Sequence, residues 1–227
     1  MELELKSVSL DAYETGGELT LTQEETAETI VPDYCPDIAR IIQTDGKVYL
    51  HSRELRDGKA ELSGTVRVTV LYTPDGEGGV RTLEFAIPFT AESDGRALPG
   101  CQHLTAETET EFLEARMLNP RKIFTHCKLV THLTGYQRKP LVFCEDTEAE
   151  PALQVEKRQE GQHAILLTHI AEKDFTFTEE MNLSPGREGA AELLTSQVSS
   201  TVTETKIVGS KLIFKGVFSI SLLYRDN

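Results

Sequence analysis

Tryptophan is absent from the 227 residues, and aromatic side chains of any kind make up only 7% of them. Sugar-binding faces commonly stack their ligand on aromatic rings, so this scarcity counts against a carbohydrate site. Cys-x-x-Cys pairs are missing too. Cys35, Cys101, Cys127 and Cys144 stand far apart, a poor match to a zinc site or a disulfide framework, and read as reduced thiols that are partly core. There is no compact basic patch: Arg121, Lys122 and Lys128 form the densest basic stretch, and apolar residues interrupt it. With 37 acidic against 23 basic residues, the formal net charge is -14. Such a balance repels a phosphate backbone and an anionic membrane surface alike. Long apolar runs are also lacking, since even Leu129 to Leu133 is broken by Thr131 and His132. The opening Met-Glu-Leu-Glu-Leu-Lys alternates acidic and apolar residues, unlike a signal peptide, which predicts a chain that is cytosolic when made and not inserted in a membrane.

What is present describes a globular protein: hydrophobic residues make up 39%, and the length suits one large domain or two modest ones with a core that needs no metal or disulfide. Residues 1–22 alternate weakly and predict a leading strand or arm. In EETAETIVPDYCPDIARIIQTDGKV, Pro32 and Pro36 block helix up to the second proline. Ile38, Ile41 and Ile42 then fall at helical spacing, predicting a short helix from Pro36 to Thr44 that ends at Asp45-Gly46. Val48–Arg53 and Lys59–Thr73 flank Asp57-Gly58, which predicts a hairpin with Leu62, Gly64, Val66, Val68 and Val70 on one face. Leu83, Phe85, Ile87 and Phe89 alternate in phase, with Pro88 marking an edge strand. His103–Leu113 is a long alternating segment with Glu107, Glu109 and Glu111 turned to water. The Asn119-Pro120 turn launches a further strand, RKIFTHCKLVTHL. Residues 165–170 and 175–177 are expected as strands, and 145–162 as linker.

The C-terminus repeats an earlier passage. KAELSGTVRVTVLY ending at Tyr72 matches KLIFKGVFSISLLY ending at Tyr224, and the offset of 152 also takes Gly64 to Gly216. The same offset takes Ala39-Arg40-Ile41-Ile42 to Ala191-Glu192-Leu193-Leu194 and Asp33 to Pro185, so helix and hairpin together form the expected repeating unit. The fold predicted is mainly β, with antiparallel sheets in a sandwich or open-barrel-like arrangement, short helices, and this unit used twice.

EETAETIVPDYCPDIARII, the GTVRVTVLY strand, the FAIPF segment and the LNPRK turn resemble the SPOCS domain of SipL-type proteins from spore-forming bacteria. The resemblance covers most of 23–133 and again 179–227. It divides the chain into an arm at 1–22, a first SPOCS-like β domain at 23–144, linker and connecting strands at 145–178, and a partial second repeat at 179–227. It implies a non-enzymatic role in the mother cell, at the forespore surface, in assembly of the spore coat or envelope. Partners would be other coat or envelope proteins or further SPOCS copies, with no cofactor. That family's LysM domain, which contacts a coat morphogenetic ATPase, has no counterpart here, so that contact does not carry over. The alternative reading is a cell-wall or carbohydrate-binding β module.

Chemistry has little to stand on. His126 and His132 share a strand face, but lie roughly 20 Å apart at about 3.3 Å per residue, while Cys127 points to the other side. None of the cysteines sits in a Gly-rich or helix-opening context that would activate it, so neither an enzyme nor a metal site is expected. The PDYCPDIARII segment reads as a docking surface presented by a rigid proline turn, with Asp33, Tyr34, Asp37 and Arg40 as contacts, or as a helix packed over a sheet end. Pro32, Pro36, Gly64, Tyr72, Asn119, Pro120, Arg121, Gly216 and Tyr224 are the structural motif residues of the domain and its repeat. If the C-terminal half-repeat leaves an open edge, dimerisation through it is expected.

Overall fold

β3 (Lys59–Pro74) is the clearest case of pattern becoming structure. Every second residue from Leu62 to Tyr72 is buried, and Ser63, Thr65, Arg67 and Thr69 turn outward, as a half-buried strand of β-branched residues should. It is joined to β2 (Ile38–Arg56) through Asp57 and Gly58, whose φ angles of 49° and 80° are those a tight two-residue hairpin turn needs. On its other side lies β4 (Arg81–Glu92), an edge strand that buries Leu83, Ile87 and Phe89 and carries Pro88 where no inner ladder needs its missing donor. The computed structural model describes residues 3–76, 78–149, 156, 158, 161, 163–173, 175–180 and 190–226.

A second sheet is built around β6 (Lys122–Ala149), with β1 (Leu3–Ile30) on one side and β5 (His103–Asn119) on the other. β1 runs antiparallel to β6 from Leu3 opposite Ala149 to Ile30 opposite Lys122. The residues expected as an arm and those expected to open the first domain therefore form one continuous strand. Glu107, Glu109 and Glu111 of β5 face solvent as expected, and Glu111 pairs with Lys128 at 2.7 Å.

The two sheets pack face to face as a sandwich. Val66, Val68, Val70, Tyr72, Leu83, Ile87 and Phe89 of one meet Ile123, Cys127 and Leu129 of the other, and a smaller cluster of Ala60, Leu62, Ala91, Leu98 and Leu133 extends the core. β2 lies beside β5, and β1 beside β4, without joining the sheets into one ladder, so the barrel is not closed.

The short helices are not there. All regular elements among the described residues are strands, and Pro36–Thr44 runs from a loop into β2. The helical spacing of Ile38 and Ile41 comes from a register shift between Ile38 and Arg40: the extra residue, Ala39, shifts the alternation by one, so both isoleucines point inward. A second shift between Ile41 and Gln43 leaves Ile42 exposed. Gly46, expected to end the helix, sits inside the strand, where a Cβ would lie 2.7 Å from Leu113 Cδ2 of β5. The counterpart Glu192–Leu194 is likewise strand.

The remaining strands, β7 (Ala190–Val208) and β8 (Lys211–Asp226), form a separate hairpin that repeats β2 and β3 residue for residue. Register shifts fall at Ala190/Glu192, Leu193/Thr195 and Val202/Glu204, each 152 residues beyond those at Ile38/Arg40, Ile41/Gln43 and Leu50/Ser52. Leu193 faces Tyr224 as Ile41 faces Tyr72, and Val202 faces Gly216 as Leu50 faces Gly64.

Residues 165–170 and the Phe175–Phe177 stretch are not strands. A strand needs a neighbour for its backbone groups, and among the described residues this stretch has a single bridge, where Tyr13 N–H donates to the Leu167 carbonyl at 2.7 Å. Of the expected linker 145–162, residues 145–149 continue β6, and most of the rest lies outside the described residues, as does Pro185. No helix among those described is long and apolar enough to cross a membrane.

Candidate functional site

At one end of the sandwich, the loop of residues 31–37 leads from β1 into β2, beside the tight turn that joins β5 to β6. The two prolines keep the loop out of any regular ladder. Its own turn is closed by Cys35 N–H donating to the Pro32 carbonyl at 2.9 Å, with Asp33 and Tyr34 at the apex. The facing turn is shaped by Asn119, whose side-chain oxygen accepts from Arg121 N–H at 2.9 Å, a local bond typical of Asn before a turn. Backbone bonds tie the two together: Val31 N–H donates to the Arg121 carbonyl and Ile38 N–H to the Pro120 carbonyl, both at 2.9 Å.

The Arg121 guanidinium fills the loop. One of its nitrogens donates to the Cys35 carbonyl at 2.7 Å and approaches the Asp37 carboxylate at 3.2 Å; the other donates to the Val31 carbonyl at 2.9 Å and to Asp33 at 3.1 Å. Only the planar fork of Arg can serve four acceptors spread around one loop in this way. Asp33 and Asp37 are well exposed, so their ion pairs contribute little, and the two carbonyl bonds fix the loop's shape.

Beneath the loop, Tyr72 is fully buried and its hydroxyl donates to the Pro36 carbonyl at 3.4 Å. Burial pushes its phenol up to about 12, and the neighbouring Cys35 adds to the rise. Asp75 N–H donates to the Asp37 carbonyl at 2.8 Å, closing the far side. Held from below and from the side, the loop presents Tyr34 to solvent with 87% of its surface exposed. A large aromatic ring on a fixed loop, rimmed by two carboxylates, is a geometry suited to docking another protein.

The structure thus brings together Pro32, Asp33, Tyr34, Pro36, Asp37, Tyr72, Asn119, Pro120 and Arg121. Arg40 stands apart on β2, exposed, its carbonyl accepting from Thr73 Oγ1 at 3.3 Å. Gly64, Gly216 and Tyr224 belong to the hairpins and not to the loop. The clamping role of Arg121 is the feature that sequence reading missed. Its only signal was that two segments without periodicity, VPDYCPD and LNPRK, lay 84 residues apart with opposite charges.

Elsewhere the chemistry is plain. All four cysteines are free; Cys127 is buried in the core with its thiol pushed up by burial, as is that of Cys101. His126 meets Glu24 and His132 meets Thr20, each at 3.1 Å, on the face of β6 opposite Cys127. No group of three or more metal-type side chains converges among the described residues.

Residues 37–118 match the family model for the SipL SPOCS domain, so the resemblance read from the sequence holds over that segment. The matched segment starts at the last residue of the 31–37 loop, takes in β2 to β4 and nearly all of β5, and stops just before the Asn119 turn. No curated protein and no solved structure matches the chain.

Proposed function

We propose that this chain is a non-enzymatic, protein-binding module used in assembling the spore coat or envelope, and that the 31–37 loop is its docking element. The observation that carries this reading is the Arg121 clamp. A guanidinium spent entirely on two loop carbonyls and two loop carboxylates does no chemistry; it holds one ring, Tyr34, out in water. Preorganisation of this kind lowers the ordering cost of association. The SPOCS match supports a sporulation-related reading; within it, the proposed setting is the mother-cell cytoplasm, with coat or envelope proteins or other SPOCS copies as the proposed partners.

The test is localisation in sporulating cells of a fluorescent fusion to the whole protein. Wild type is expected to gather at the forespore surface, and Tyr34→Ala, equally stable in urea, to spread through the mother cell. Wild-type localisation of the folded Tyr34→Ala protein would remove the docking role. Retention of the purified chain on cell wall, with no gathering at the forespore, would favour the carbohydrate-binding alternative.

A further inference from the structure

Tyr34 has apolar company at its end of the sandwich. Ile30, one residue before the loop, is 72% exposed, and Met117 and Leu118, just before the Asn119 turn, are exposed by 40% and 47%. These residues sit on the two segments that Arg121 and the backbone bonds of Val31 and Ile38 tie together, so they are held in place along with the loop. Single exposed apolar residues are ordinary on a protein surface. Several on one fixed element, an aromatic ring among them, are what a binding surface has.

The charge on that element has one sign. Both charged residues of the 31–37 loop are acidic: Asp33 is fully exposed and Asp37 half exposed. The backbone bond from Asp75 N–H to the Asp37 carbonyl brings a third acidic residue, also exposed, beside them. The nearby bases are already engaged, Arg121 by the loop and Lys122 by Glu28. One guanidinium against two carboxylates leaves the trio negative before Asp75 is counted. Each aspartate gives Arg121 a single oxygen, Oδ1, and keeps the lone pairs of the other for a donor arriving from outside.

Resting on the docking reading above, we infer that the partner is a protein segment in which a lysine or arginine stands next to a large apolar side chain. The apolar group packs on Tyr34, beside Ile30 or Leu118, and the cation meets Asp33 and Asp37. Opposite charge steers such a segment in and turns an acidic one away, while the aromatic contact holds it. A cation close to the Tyr34 ring gains from the ring's own electrostatics as well. The same carboxylates repel a phosphate backbone and an anionic lipid surface, which leaves a cationic protein segment as the occupant of fitting charge.

A random peptide library displayed on phage and selected on the full chain supplies the probe. Selected peptides are expected to carry Lys or Arg next to Leu, Phe or another large apolar residue, and to bind Tyr34→Ala about 30-fold more weakly. The double variant Asp33→Asn with Asp37→Asn keeps an acceptor oxygen on each side chain for Arg121 and removes only the charge, so exchange of the Ile38 N–H should be unaltered. It should weaken the same peptides about tenfold at low salt and far less at high salt. Glu107→Gln with Glu109→Gln takes the same charge from the outer face of β5 and should leave binding unchanged. Peptides that need Tyr34 but are acidic or uncharged overturn the partner assigned here and leave the docking role of the loop standing. Binding that ignores salt, or that is as tight to the double asparagine variant as to wild type, does the same. A selection that yields no peptide dependent on Tyr34 removes the docking reading itself, and this inference with it.

Discussion

The carbonyl oxygen of Tyr49 stands 2.6 Å from where a Cβ on Gly64 would lie, and the carbonyl of Thr201 stands 2.6 Å from the same point on Gly216. In both hairpins the glycine accommodates the register shift across from it, where the extra residue of the opposite strand pushes its backbone inward.

Gly64→Ala should therefore destabilise the sandwich by about 1–3 kcal/mol, since the new methyl meets backbone on one side and the Phe89 ring on the other. Gly216→Ala disturbs a hairpin that stands outside both packed sheets, and the main unfolding transition should move by less than about 0.5 kcal/mol. Urea denaturation followed by far-ultraviolet circular dichroism measures both. Equal shifts for the two variants would mean that the hairpin and the sandwich unfold as one unit.

Arg121→Ala strips the 31–37 loop of its charged donor to two carbonyls, and should cost about 1–3 kcal/mol. Arg121→Lys should recover less than half of that, because one ammonium cannot reach the Val31 and Cys35 carbonyls together as the fork does. Amide hydrogen exchange reads the local effect: the Ile38 N–H, bonded to the Pro120 carbonyl, should lose protection in both variants while that of Val68, in the centre of β3, changes far less.

Tyr72 makes stability depend on pH at the alkaline end. Its phenol ionises near 10 in the unfolded chain and is pushed up to about 12 in the fold, chiefly by burial. Between those values the unfolded state has released a proton that the folded state still holds. The contribution is thus complete below pH 10 and drains away as the pH rises towards 12, by up to about 3 kcal/mol. Comparing urea midpoints at pH 9 and pH 11 for wild type and Tyr72→Phe tests it. A fall of the same size in both proteins would assign the effect to other groups.

Strand alternation made most of the sandwich legible in advance. Leu62 to Tyr72, Leu83 to Phe89 and the strand after Asn119 place their side chains as period-two reading expects. The misreading at Ile38 and Ile41 has a definite cause: inserting one residue into a two-residue repeat yields a spacing of three, which on paper is a helix. The 31–37 loop was half legible. Two prolines announced its rigidity and Tyr34 its exposure, but the residue that locks it comes from another turn, and no local pattern links Cys35 to Arg121. The segment from 163 to 180 could not be read for the opposite reason. Its apolar residues follow a strand-like spacing, yet among the described residues Tyr13 alone bridges to them.

The pairing of β1 with β6 also sets a schedule for synthesis. The partner of Leu3, Ala149, leaves the ribosome 146 residues after it, roughly 7–30 s at ordinary elongation rates. During that wait the nascent chain can close the local β2–β3 hairpin and add β4, but the leading strand has no neighbour to join. Its threonines and glutamates, alternating through Thr20, Thr22, Glu24, Thr26 and Glu28, keep it soluble while it waits. A strand that must linger unpaired beside growing sheets is one for which alternating polarity guards against the wrong partner as much as it specifies the right one.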